Sequence, residues 1–460
     1  MKKLRRSLAP CLLLALAWGC GSDGQGTTQL PSEPFGSAAP AGMPDPSSPA
    51  SDPGSSTPGT NEGTNPDLPL TGGTNPGGPV TGPGSNPGNN PGNPGAMMAP
   101  AGSLPNPDIF TGSPQTLRQA ALASHRLIGT AIRANKLTNA TYTATAREFN
   151  YLTPENEMKW DALERNPGQF TFQNADRIVQ FAQANYIQVK GHTLVWHSQI
   201  PQWVRALTTR DEALAALERH ISEVVGHFKG KVHAWDVVNE AFTDGNAPRL
   251  RGSDPNDVNS ANNANGNNGP DSPFRRLIGE DYIDRAFTLA HAADPDAVLF
   301  YNDFNTEGTS AKANAVFTMV QGMRQRGVPI DGVGLQMHIN STVDGQRSAD
   351  QIRQNMKRLT DLGLQVVYSE LDVSLCGTAD IATRRTQQKQ RLSDVTKVCM
   401  DNPLCTAMTF WGMADSDSWR DSACNGGRSE PLLFDTAYQH KDDYNGVFAA
   451  ILAASTTVQQ

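Results

Sequence analysis

The chain has 460 residues, a net charge of −8 and 18% charged residues, and its 32 prolines and 42 glycines are spread unevenly. No basic stripe offers a phosphate footprint, which excludes a nucleic-acid partner but leaves a neutral polymer open. The composition divides the chain into three parts: residues 1–20, residues 21–112, and an ordinary globular sequence over 113–460.

The first part reads as an export signal. Lys2, Lys3, Arg5 and Arg6 precede an apolar run from Leu8 to Trp18, too short and wrongly flanked to span a membrane. Leu16-Ala17-Trp18-Gly19-Cys20 resembles a bacterial lipobox, which implies cleavage before Cys20 and a lipid on its sulfur; the alternative is a plain secretory signal. Gly21 and Ser22 after the cysteine favour the outer membrane in a two-membrane cell. The expected location is therefore exported: a cell-surface or outer-membrane lipoprotein, or a secreted protein if the lipobox is not used. Residues 21–112 repeat Pro, Gly, Ser, Thr and Asn, as in Asn86-Pro87-Gly88-Asn89. Such a segment buries too little apolar surface to offset its ordering entropy, so it is expected to be a disordered tether.

From about residue 115 short apolar runs alternate with amphipathic stretches. The spacing predicts strands at Leu127–Ile132, Glu148–Leu152, Gln188–Val195, Ala234–Val238, Val298–Asn302, Gly332–Gln336, Gln365–Glu370 and Ala407–Trp411. The clearest helix is Asp211–Phe228, where Leu214, Leu217, Ile221, Val224 and Phe228 share a face. Thr209 and Glu212 form a capping box before it and Gly230 follows it. Asp281–Ala293 repeats the design, and Ile352, Met356 and Leu359 mark another helix. Eight strand–helix units over some 340 residues predict an α/β fold, a (β/α)₈ barrel, rather than a doubly wound sheet, since no Gly-rich nucleotide turn follows an early strand. Gly252–Pro273, rich in Asn, Asp and Gly, reads as a surface insertion without an EF-hand pattern.

Setting aside Cys11 and Cys20, four cysteines remain: Cys376, Cys399, Cys405 and Cys424. An even number in an exported domain suggests two disulfides. Of the three possible pairings, Cys399–Cys405 and Cys376–Cys424 are favoured, because the first closes a short helix–strand loop and the second joins neighbouring loops.

Two runs end on a carboxylate: Trp235-Asp236-Val237-Val238-Asn239-Glu240 and Val366-Val367-Tyr368-Ser369-Glu370-Leu371-Asp372. Catalytic groups of closed barrels gather at that end of the strands. Two carboxylates across a cleft are what glycosidic cleavage requires. Trp160, Trp196, Trp203, Trp235, Trp411 and Trp419 stand mostly at or beyond strand ends, interleaved with polar residues, a combination that suits a sugar. The competing readings are core tryptophans, a buried ion pair at each glutamate, a non-catalytic sugar-binding lipoprotein, and a metal-dependent hydrolase using His192, His197, His338 and Asp372. The binding protein would need the aromatics but not both glutamates, and the histidines lack a paired ligand motif such as H-E-x-x-H.

Seven segments in order resemble glycoside hydrolase family 10, the endo-β-1,4-xylanases. They are Thr153–Trp160, Gly191–His197, Trp235–Glu240, Tyr301–Asn305, Gly334–His338, Ser369–Asp372, and Trp411-Gly412 through Ser418-Trp419. The resemblance implies endo-acting, retaining hydrolysis of xylan and xylo-oligosaccharides through a covalent glycosyl-enzyme. It makes Glu240 the general acid/base and Glu370 the nucleophile. His338 and Asp372 would support the nucleophile. Asn239 would bond the 2-hydroxyl, and Glu155, Asn156, Lys159 and His192 would line the glycone side. Gln336 would bond a hydroxyl or orient Glu370, while Trp196, Trp411 and Trp419 would wall the site. Many relatives carry Tyr where this chain has Phe304, on the leaving-group side. A family member of this kind is expected to be a monomer that uses neither cofactor nor metal.

Overall fold

In the computed structural model, the structure describes residues 112–259, 269, 271–343, 347–420, 424 and 429–455. The expectations for the signal, for Cys20 and for the tether lie outside those residues, as do residues 260–268 and 270 of the Asn/Gly-rich insertion.

Nine strands are present among the described residues: β1 Leu127–Ile132, β2 Tyr151–Pro154, β3 Gln188–Trp196, β4 Ala234–Asn239, β5 Val298–Asp303, β6 Gly332–Leu335, β7 His338–Asn340, β8 Gln365–Ser374 and β9 Cys405–Phe410. Every ladder is parallel, β6 pairs with β8, and β9 pairs with β1, so eight strands close into a barrel. β7 is a three-residue addition that pairs with the end of β8. The fold is the (β/α)₈ barrel that the alternation predicts.

The second strand corrects the sequence reading. It runs over Tyr151–Pro154, not Glu148–Leu152. Residues Arg147–Phe149 still belong to turns closing the preceding helix, Ala140–Ala146, and Asn150 is tied to β1 through its side chain, which accepts from the Ile128 amide at 2.7 Å. Pro154 sits at the strand's last position, where a missing N–H costs no ladder bond.

The helix predicted from Asp211 runs over Arg210–Phe228 with the Thr209–Glu212 capping box formed in both directions. Leu217, Ile221, Val224 and Phe228 are buried in the main core with Trp235 of β4. Gly230 follows at φ +70°, a conformation glycine adopts without a Cβ penalty. The helices Tyr282–Ala293 and Ala349–Thr360 occupy the other two predicted positions. Strand residues alternate between that outer layer and the barrel interior. A separate inner cluster of Tyr151, Ala234, Phe300, Val367 and Ala407 fills the interior. Lys190 of β3 and Asp236, which shares one face of β4 with Ala234, form a fully buried ion pair at 2.8 Å. Gly191 is required where it stands, because a Cβ there would come within 2.1 Å of the Trp235 ring.

Both favoured disulfides form. Cys376 joins Cys424 with Cα atoms 5.0 Å apart, and Cys399 joins Cys405 at 5.2 Å. The first ties the segment after β8 to the loop after β9.

Candidate active site

The C-terminal rim of the barrel opens into a cavity of about 750 Å³. Glu240 follows directly on β4 and takes φ +53°, its amide donating to the Asn302 carbonyl at 2.8 Å. The side chain is buried. Oε1 accepts from Gln336 Nε2 at 3.0 Å and Oε2 accepts from Trp196 Nε1 at 2.8 Å. Burial raises the Glu240 pKa, and the negative charges of Asp303 and Glu370 add to the effect against the two hydrogen bonds.

Glu370 lies within β8 and has the opposite environment. Asn302 Nδ2 donates to its Oε1 at 2.8 Å and His338 Nε2 reaches its Oε2 at 3.3 Å. Burial alone would push this carboxyl up, but the hydrogen bond from His338 and the positive charges around it outweigh burial and bring it to about 2. His338 in turn places Nδ1 2.8 Å from Asp372 Oδ2, two residues beyond Glu370 and therefore on the same face of the strand. Burial opposes charging of this imidazole, yet the charge and hydrogen bond of Asp372, with Glu370, raise it to about 10. The ring is thus an imidazolium at neutral pH and both nitrogens donate. Arg420 Nη1 closes the series on Asp372 Oδ1 at 2.8 Å.

Asn302 links the two halves. Its Nδ2 donates to both Glu370 and Asn239 Oδ1, the latter at 2.9 Å, and its Oδ1 accepts from Ser369 Oγ at 2.5 Å. Gly334 makes room for this amide, since a Cβ there would lie 2.3 Å from Asn302 Oδ1. Asn239 Oδ1 also accepts from Gln336 Nε2 at 3.3 Å, so its oxygen is saturated and its amino group is what remains to donate.

On one side of the pair, Glu155 receives a two-pronged bond from Arg133, with both contacts at 2.6 Å. Lys159 Nζ donates to Asn156 Oδ1 at 2.9 Å and Gln199 Oε1 at 2.6 Å, and lies 5.0 Å from the Trp196 ring centre. Burial lowers the Lys159 pKa against the pull of Glu370 and Glu155. His192 Nδ1 sits 2.9 Å from Asp236 Oδ2, and its ring meets Trp411 edge-on at 5.1 Å. On the opposite side Phe304 follows β5, with Lys312 Nζ 3.6 Å from its ring centre. Trp419 stands 58% exposed at the mouth, edge-on to His338 at 5.1 Å.

The ten residues expected to bind or wall in substrate, and His338, which is expected both to bind it and to support Glu370, line this one cavity with the two glutamates. Asp372 lies behind His338. Two details differ from the sequence reading. Gln336 turns its amide to Glu240, not to Glu370, which it meets only through its backbone carbonyl at 3.1 Å. His197, expected to satisfy backbone groups near the cleft, is buried beside it with no hydrogen-bond partner for either ring nitrogen among the described residues, and burial keeps it neutral. Sequence reasoning assigned no role to Arg133, Gln199, Asp236, Asn302 or Arg420. Asp236 and Asn302 stand inside motifs already singled out; Arg133 and Gln199 carry no comparable signal.

A closed barrel with two buried carboxylates of opposite proton affinity at its C-terminal mouth, ringed by indoles and amides, has the make of a sugar-cleaving enzyme. The family described as Glycosyl hydrolase family 10 matches residues 116–450. Endo-1,4-beta-xylanase B of Thermotoga neapolitana is 38% identical over 299 residues, 65% of this chain and 79% of that protein. Endo-1,4-beta-xylanase 5 of Pyricularia oryzae is 38% identical over 67% of this chain and 71% of its own. Xylanase 10B of Thermotoga petrophila, solved with xylobiose, superposes with a TM-score of 0.67 at 36% identity, covering 75% of this chain and all of that one. The chain belongs to glycosyl hydrolase family 10.

Proposed function

We propose that this chain is an endo-1,4-β-xylanase that hydrolyses xylan with retention, through a double displacement. The observation that carries the reading is the split between the two carboxyls: Glu240 is biased toward its protonated form and Glu370 toward its ionised form. Two such groups with divergent proton affinities are the acid and the nucleophile of a retaining glycosidase. Glu370 attacks the anomeric carbon while Glu240 protonates the leaving oxygen. The ionised Glu240 then takes a proton from water, which releases the sugar from Glu370 and restores both groups.

The other lining residues fit substrate roles. Asn239 Nδ2 donates to the 2-hydroxyl, a contact that strengthens in the transition state. Glu155, Asn156, Lys159 and His192 hold the glycone sugar. Trp196, Trp411 and Trp419 crowd the position of a C6 hydroxymethyl, a steric preference for xylose over glucose worth about 1–3 kcal/mol. Phe304 offers a stacking face without a hydroxyl on the leaving-group side. The relative solved with xylobiose is consistent with this assignment.

The test is reducing-sugar release from β-1,4-xylan and, in parallel, carboxymethyl-cellulose, with products sized by mass spectrometry. Short xylo-oligosaccharides with little cellulose cleavage are expected, and Glu370→Ala should abolish turnover while the protein stays folded. Normal activity in that variant would overturn the mechanism.

We propose in addition that residues 1–20 direct export with Cys20 acylated, that 21–112 serve as a tether, and that 113–460 form the catalytic domain, acting as a monomer at the cell surface. Mass spectrometry of the native N-terminus tests the first of these: a diacylglyceryl group on Cys20 is the expected finding, and an unmodified, freely secreted chain refutes it.

A further inference from the structure

Gln336 and His338 serve different glutamates, yet one residue separates them. That residue, Met337, has φ +63°, a left-handed conformation that a non-glycine side chain holds only when its surroundings impose it. The turn is central to the site. Gln336 donates from its side chain to Glu240 and accepts at its carbonyl from the Glu370 amide. His338 contacts Glu370, and the Met337 carbonyl accepts from the Asp372 amide at 3.3 Å.

The Met337 amide itself is taken by Glu307, which does not line the cleft, while the Gln336 amide donates to the Asp303 carbonyl at 3.1 Å. Glu307 is fully buried, and its Oε1 accepts from the Met337 amide at 3.1 Å. Its Oε2 accepts no hydrogen bond among the described residues and faces Arg347 Nη1 at 4.0 Å. The backbone carrying Glu307 is itself fixed. Asn355 Nδ2 donates to the Thr306 carbonyl at 2.7 Å, and Thr306 Oγ1 donates to the Asp303 carbonyl at 3.0 Å at the end of β5. A buried carboxylate with one oxygen committed to a single strained peptide and the other weakly engaged is an expensive residue to keep for packing alone.

We propose that Glu307 is a positioning residue for the reaction proposed above: by fixing the left-handed turn at Met337 it sets Gln336 against Glu240 and His338 against Glu370. The inference rests on the xylanase reading for its kinetic consequence, but the geometry it asserts does not depend on the substrate. One acceptor oxygen thus supports both the protonated and the ionised carboxyl, so its loss acts on both chemical steps and little on sugar contacts.

The test compares Glu307→Leu, Glu307→Gln and the double variant Glu307→Leu/Met337→Gly with the parent. Glutamine keeps an oxygen for the Met337 amide and should stay within about fivefold of the parent in kcat, well short of the loss a misaligned site brings. Leucine removes the acceptor, and misalignment of the reacting groups should lower kcat by about 10²-fold with KM little changed. Glycine at 337 takes positive φ without a clamp and should recover part of that loss. Should the leucine variant not fold, Glu307→Asn, one methylene too short to reach the amide, carries the same expectation. The titration of His338 is followed by NMR in each protein: high in the parent and the glutamine variant, displaced toward its ordinary value in the leucine variant. An unchanged kcat and an unchanged His338 titration in the leucine variant overturn the proposal, and so does a glutamine variant as impaired as leucine. A parent that cleaves no xylan would sink the substrate reading, and the His338 titration would then decide the clamp by itself.

Discussion

Asp372 does not line the cavity, yet the geometry makes the ionisation of Glu370, the proposed nucleophile, depend on it. Its Oδ2 takes Nδ1 of His338, and its negative charge leads the forces that keep that ring protonated against burial. The protonated ring then donates Nε2 to Glu370, the strongest of the influences that draw this carboxyl down from an ordinary 4.5 to about 2. Asp372→Asn keeps the shape and an acceptor but removes the charge. Without it, burial favours the neutral imidazole, a donor at only one nitrogen, and Glu370 loses its charged partner.

A carboxyl at about 2 is roughly 99% ionised at pH 4, whereas one at its ordinary value is only about a quarter ionised there. The parent should therefore keep its kcat/KM between pH 6 and pH 4 as far as this group is concerned, while the variant should lose about fourfold over the same interval. The sign follows from a depressed carboxyl: its charged, active form is present above the pKa and is lost as pH falls through it. A second, pH-independent loss comes from the charge-assisted hydrogen bond itself, about 1.5–3 kcal/mol or on the order of 10- to 150-fold in rate. The assay is initial-rate hydrolysis of a soluble xylo-oligosaccharide from pH 3 to 9, with circular dichroism at each pH to exclude unfolding. The basic limb belongs to Glu240, which Asp372 does not touch, and should move little. An acid limb that coincides with the parent's would refute the reasoning.

Trp196→Phe removes the indole donor from Glu240 Oε2, one of two bonds that hold this carboxyl's pKa down against burial. Its pKa should rise further, so the proton needed by the acid is retained to higher pH and the basic limb of kcat/KM moves upward; a shift downward or none counts against the assignment. The two disulfides should differ in worth. They close separations of 48 and 6 residues, for which chain entropy gives about 4 and about 2 kcal/mol. Cys376→Ala/Cys424→Ala should therefore lower the urea midpoint more than Cys399→Ala/Cys405→Ala, and equal midpoints would argue against that account.

The barrel was legible because its signals are local. Strands of a covered parallel sheet are apolar runs, and the helices between them carry caps and one-faced patterns, so Thr209, Glu212 and the row from Leu214 to Phe228 announce themselves. Where the local signal was ambiguous the reading slipped. Glu148–Leu152 looks like a strand because Phe149, Tyr151 and Leu152 are apolar, but Phe149 faces the outer core from a turn and pairing begins only at Tyr151. β7 was missed for the same reason in reverse: His338-Ile339-Asn340 has no apolar run and exists only because Asp372, Val373 and Ser374 offer it an edge.

The site was legible to the depth of one layer. Residues at the C-terminal mouth face the cavity, which is why the glutamates, Asn239, Trp196, Trp411 and Trp419 could be placed from sequence, whereas Trp160 and Trp235 went to the core and Trp203 packs against it. The next layer depends on register between distant strands. Nothing in Tyr301–Asn305 tells that Asn302 reaches Glu370 across 68 positions, or that Gln336 turns to Glu240 across 96. Yet this layer makes the two glutamates unlike each other. Both are buried carboxyls at the C-terminal mouth of one barrel, and burial pushes each toward its neutral form. Glu240 faces neutral donors, an indole and an amide, and the charge of Asp303, so burial prevails. Glu370 faces an imidazolium that Asp372 keeps charged, so burial is overcome. The difference in proton affinity between the two carboxyls is therefore set by the side chains that bond them directly and by Asp372 one step behind His338.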